Sequence, residues 1–277
     1  MRRRRIFLIS LNAFGLVALF YGPLFAWSPV TPGFTRSPQI GITYLHRIDR
    51  PLTAHHRAVA QELPRLEATF GLSFNGPVNV VLCDEPGDFR RFTPWLPTPP
   101  GVGARTLQFG TAVYVAPTVR NRPDVGDFIR HELVHVLLLR NTALSSRVAL
   151  SRHWWLLEGL SVEYGNRSSY LHPDAHRATV LGAELSAILD PDSRANLARA
   201  SVTERYAIAG AFVRHLIERK GWERWPGFLR EYVADLAAWR DTFARHFGET
   251  FDGAMADFRS HLTRTTVIQI PMPQAQP

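Results

Sequence analysis

Three side chains within five residues could bind and use a metal. The run "HELVH" extends from His131 to His135. On an α-helix, residues i and i+4 share one face a turn apart, so both imidazoles face the same point. Two neutral imidazole nitrogens so arranged can hold one Zn²⁺. Glu132 follows the first histidine, where its carboxylate can reach a metal-bound water without being a ligand, the spacing of a zinc-peptidase general base. A catalytic zinc takes three protein ligands and keeps a fourth position for water, so a third donor is needed. Glu158 is the candidate, within "HWWLLEGLSVEYG", residues 153–165. Two antiparallel helices joined by a loop of about a dozen residues could set it opposite the histidines. The single cysteine, Cys83, rules out an intrachain disulfide and any zinc site of several thiolates.

His-Glu-x-x-His followed by the Trp-Leu-x-Glu-Gly of residues 155–159 resembles the gluzincin branch of the zincin metallopeptidases. Within it the pattern is similar to the peptidase MA-like group, which includes thermolysin-like and aminopeptidase-N-like enzymes. The resemblance implies zinc held by His131, His135 and Glu158, Glu132 as general base, and a peptide or protein substrate. It implies a tyrosine that stabilises the tetrahedral intermediate: Tyr206, in the run 204–225, with Tyr164 as competitor. It further implies that the last strand before the metal helix, mapped to Ala112–Ala116, lies on the sheet edge and pairs with extended substrate. The likeness covers roughly residues 75–262 and is sharp at 131–135 and 154–164. The 22 residues between His135 and Glu158 form a longer gap than the aminopeptidase pattern has. The alternative is a catalytically silent zincin-like binding or scaffold protein of the cell envelope. An intact Glu132 argues against it, since a structural zinc has no use for that carboxylate.

Other reactive side chains have plainer readings. Glu163 lies five residues past Glu158, about 140° around the helix, and reads as a partner of a ligand histidine or of the scaffold. His172 and His176 are also spaced i, i+4, but Pro173 follows the first and no Glu lies between, so they read as a solvated helix start. His55, His56, His153, His215, His246 and His261 have no motif around them and read as surface or partly buried. Cys83 ends an apolar strand and reads as inert. No nucleophile elbow, P-loop or dinucleotide fingerprint is present.

The elements that must position the metal pair can be read from periodicity. Residues 40–46 and 77–83 read as strands, and 106–109 with 112–116 as a hairpin. Residues 54–70 read as a helix blemished by Pro64. Helical spacing covers 125–141, with Asp127 as its cap, then 154–166, 175–189, 203–219, 222–236 and 251–265. The Pro-rich stretch 92–101 reads as a stiff loop, and residues 93–101 read as a cover over the cleft that restricts substrates. Strands first and helices afterward predict an α+β fold, a zincin-like domain with a small N-terminal sheet and a helical C-terminal half.

Charge and hydropathy set the location. The chain carries 32 basic and 24 acidic residues, a net +8, and Lys220 is its only lysine. Arg2–Arg5 supply half of that surplus, and no basic block survives beyond them, so the charge gives no reason to invoke nucleic acid. Ile6–Trp27 then runs 22 residues without a charge, about 33 Å as a helix, enough for one transmembrane span. Residues 1–27 read as a signal anchor with the arginines cytoplasmic and the rest exported, a cleaved secretory signal being the alternative. Residues 28–39 read as a linker, 40–267 as the peptidase domain and 268–277 as a disordered tail. Nothing in the sequence sets an oligomeric state.

Overall fold

Short apolar runs rich in valine become the centre of a sheet because both of its faces are covered. In the computed structural model, which describes residues 10–13, 15, 33–93, 102–106, 112–165, 185–193 and 201–267, the chain forms two compact units. The first comprises residues up to Ala68 together with Leu72–Arg147, and the second Thr69–Gly71 with Val148 onward.

The first unit holds strands β1 (Thr35–Pro38), β2 (Ile42–His46), β3 (Val78–Leu82), β4 (Ala104–Thr106) and β5 (Ala112–Val115) in the order β1-β2-β3-β5-β4. β2, β3 and β5 are parallel, and β1 and β4 are antiparallel to their neighbours. Helices α1 (Ala54–Ala60), α2 (Leu63–Phe70), α3 (Pro86–Phe92) and α4 (Val125–Asn141) accompany the sheet. The register puts Leu45, Val81 and Tyr114 on one face. There they pack with Cys83 against Phe89 and Phe92 of α3. The other face carries Ile42, Tyr44, Val80 and Val113, all fully buried. Helix α4, which carries His131 and His135, packs against β4 and β5.

Several expectations are corrected here. Ala112–Ala116 is not the sheet edge, because β5 lies between β3 and β4; among the described residues the edge beside α4 is β4. Residues 54–70 form two helices, not one. Pro64, which has no N–H to give, sits in the first turn of α2, where none is required. Residues 35–38, within the stretch read as linker, are strand β1 paired with β2. Helix α4 begins at Val125 with Asp124 at the cap position, and Asp127 lies in its first turn, paired with Arg130.

The second unit is helical: α5 (Trp154–Gly165), α6 (Leu185–Leu189), α7 (Val202–Lys220), α8 (Trp225–Ala234), α9 (Trp239–Phe247) and α10 (Phe251–Val267). A capping box starts α7: Ser201 Oγ accepts from Glu204 N at 3.2 Å, and Glu204 Oε2 accepts from Ser201 N at 2.6 Å. Helices α5 and α7 pack so closely that a Cβ on Gly159 would lie 2.5 Å from Val213 Cγ2 and 2.6 Å from the Ala209 carbonyl oxygen. Trp155 is the centre of the core, within ring contact of Phe212, Phe228, Tyr232, Phe243 and Phe251. Helix α9 was not among the predicted elements, although Trp239, Phe243 and Phe247 recur at helical spacing and Gly248 closes it in the left-handed region.

Among the described residues, no helix is long and apolar enough to cross a membrane. Of the apolar segment 6–27, only 10–13 and 15 are described. The anchor reading therefore lies outside the described residues. So do residues 28–32, most of the Pro-rich loop, the hairpin tip, His172, His176 and the tail.

Candidate metal centre

Helix α4 is fixed at both ends before it presents any chemistry. Near its start, Arg130 reaches Glu62 at 2.9 Å and also pairs with Asp127. At its end, Arg140 donates to the carbonyls of Phe74, Gly76 and Pro77 at 2.5, 2.8 and 2.9 Å. Those three carbonyls belong to the turn entering β3, so the helix is tied to the sheet through it. Ile129, Leu133, Val136 and Leu137 are fully buried and supply the apolar face. A glycine before β4 lets the helix approach: a Cβ on Gly103 would lie 2.6 Å from the Phe128 ring. Thr106 Oγ1, on β4, donates to the Glu132 carbonyl at 3.3 Å.

On this anchored helix His131 Nε2 and His135 Nε2 come within 3.2 Å, with ring centroids 4.9 Å apart. Two neutral imidazoles this close either share one proton or aim both lone pairs at one cation. Nitrogens bound to one zinc at about 2.05 Å and a tetrahedral angle are about 3.3 Å apart, so the spacing fits that ion. A Glu132 carboxylate oxygen joins the pair, the three ligand atoms all lying within 4.8 Å of one another. This is the one such group of His, Cys, Asp and Glu among the described residues. Glu132 is only 7% exposed, and no described side chain hydrogen-bonds or ion-pairs with its carboxylate.

Glu158 and Tyr206 belong to the second unit, on α5 and α7, whereas the histidine pair and Glu132 belong to the first. Glu158 is buried, at 9% exposure, beside the glycine that lets α5 and α7 meet. The Tyr206 ring stacks on Trp154 at 5.3 Å and 13°, and the Arg205 guanidinium lies 4.9 Å over the same indole. Tyr164 lies against Phe70 at 5.3 Å. Glu163 is buried and forms a 2.9 Å ion pair with Arg214.

The scattered histidines are less exposed than their sequence context suggested. His56, His153 and His215 are all buried. Burial pushes His56 and His153 down to about 4, so both are neutral at physiological pH. His215 is lowered too, by burial, although its hydrogen bond to Asp257 at 2.8 Å works the other way. Cys83 is buried, and burial raises its thiol well above the usual range, as an inert cysteine requires. Sequence reasoning missed Thr106, because a threonine in a strand carries no signal of the helix it will meet. The chain matches no protein-family model and no curated protein sequence.

Proposed function

We propose that this protein is a zinc-dependent metallopeptidase of the gluzincin kind. The observation that carries the reading is the convergence of His131 Nε2 and His135 Nε2 to 3.2 Å, with a Glu132 carboxylate oxygen within 4.8 Å of both ligand nitrogens. His131 and His135 would hold the zinc, with Glu158 as the third ligand. When bound, the ion supplies Lewis acidity toward a carbonyl and makes water acidic enough to react near neutral pH. Glu132 accepts the proton from the attacking water and hands it to the departing amine, with no covalent intermediate on the chain. Tyr206 donates from its hydroxyl to the developing oxyanion, and stacking on Trp154 limits the ring's movement.

Substrate recognition falls to β4. Gly103 O accepts from Ala116 N at 2.8 Å, so in this antiparallel pair Ala104 and Thr106 turn their main-chain N–H and C=O away from β5. An extended peptide can add to that edge as a further strand, main chain to main chain. Residues 6–27 serve as a membrane anchor that leaves the catalytic region exported. The experiment is hydrolysis of a peptide library by the full chain and by Glu132→Gln. Activity that vanishes in the variant supports the reading, and equal activity in both contradicts it.

A further inference from the structure

The second unit contains a cleft of about 290 Å³ that the peptidase reading does not use, lined among others by Arg152, His153, Asp192, Leu236, Trp239 and Asp241. His153 is the decisive residue. It is 5% exposed, its ring standing edge-on to Trp239 at 5.7 Å and to Tyr232 at 5.4 Å. Its Nδ1 is hydrogen-bonded to the Tyr232 hydroxyl. Tyr232 is fully buried, and Nδ1 is its acceptor among the described residues. A buried hydroxyl proton without an acceptor costs about 1–3 kcal/mol, so Tyr232 donates. The imidazole proton is therefore carried on Nε2. Burial keeps the ring neutral, and Nε2 has no partner among the described residues. A nine-tenths-buried N–H donor of fixed tautomer is thus turned to the cleft.

The charges around it narrow the ligand. Arg240 is taken up by Asp190 at 2.7 Å and Asp192 at 3.1 Å, and its guanidinium lies 4.5 Å over Trp239, so it forms a closed wall. Arg152 and Asp241 line the same cleft with opposite charges, yet neither is ion-paired to the other or to any other described residue. Leu236 and Trp239 stand in the wall, only 9% and 4% exposed, and leave its open lining mainly polar. A simple anion would meet Asp192 and Asp241. A simple cation would leave the His153 N–H without an acceptor. Nor is this a second metal centre among the described residues, where His153 joins no group of ligand atoms able to hold an ion.

The geometry points to a binding site for a free amino acid. Its carboxylate accepts from His153 Nε2–H and pairs with Arg152. Its ammonium pairs with Asp241, in the first turn of α9. Binding here is independent of the metal and of the proposed peptidase chemistry. The test is calorimetric titration of the full chain with L-leucine, N-acetyl-leucine and leucinamide, each with and without bound metal. Leucine is expected to bind saturably and equally in both metal states. Each analogue, lacking one charge, should bind at least about tenfold more weakly. Arg152→Ala and Asp241→Ala alter exposed side chains and should each weaken leucine by a similar factor while leaving the circular dichroism unchanged. No saturable heat, undiminished binding of either analogue or in either variant, or loss of binding with the metal overturns the assignment.

Discussion

Glu132 and Thr106 meet at one turn of α4 but act through different atoms. Thr106 holds the main chain of that turn, through the Glu132 carbonyl, whereas the Glu132 carboxylate lies beside the histidine pair. Glu132→Gln keeps the shape and removes the proposed base. It should retain zinc and lose about 10²–10⁴-fold in kcat, read by steady-state kinetics beside metal analysis. Tyr206→Phe keeps the ring stacked on Trp154 and deletes only the hydroxyl. It should lower kcat by about 10²-fold with little change in KM, as expected of an interaction made in the transition state. If Tyr164→Phe produces that loss instead, the oxyanion role moves to Tyr164. At this scale the sequence was explicit where spacing is the signal, as in His131, Glu132 and His135. It was silent where the partner is distant in the chain, as in Thr106 with Glu132 or His153 with Tyr232.

At the scale of elements, two close approaches do most of the positioning. Gly159 follows the proposed ligand Glu158 and lies where α5 and α7 meet, with no room for a Cβ. Gly159→Ala should therefore push the helices apart and destabilise the fold by about 1–3 kcal/mol, seen as a lower denaturant midpoint. The glycine of Trp-Leu-x-Glu-Gly thus has a packing reason as well as a place in a motif. Arg140 ties the end of α4 to three carbonyls of the turn before β3. Arg140→Met keeps the aliphatic stem, loses the donors, and should cost about 1–3 kcal/mol in the same measurement. The long helices were legible because their apolar positions repeat over several turns, and α4 was predicted to its observed bounds. Strand order was not. Periodicity shows that 112–116 is a strand, but whether another strand lies beyond it depends on pairing with residues 104–106.

At the scale of the whole molecule, buried neutral histidines link stability to pH. His56 in the first unit and His153 in the second fall from an ordinary 6.5 to about 4. Between those values the unfolded chain binds protons that the native chain refuses. Their contribution is thus complete above about pH 6.5 and lost as the pH falls toward 4. The thermal unfolding midpoint should accordingly fall as the pH drops across that window, and His153→Gln should flatten part of the slope. Topology makes its own prediction: the full chain should sediment with membranes, and a chain beginning at Gly33 should not. That start keeps β1, which pairs with β2 and so belongs with the folded unit.

The central claim is that His131 and His135 converge on a zinc ion, and metal stoichiometry of the purified full chain tests it most directly. The account predicts one zinc per chain, retained in Glu132→Gln and lost in both His131→Ala and His135→Ala. A chain without stoichiometric zinc, or one whose zinc survives both histidine substitutions, would contradict it.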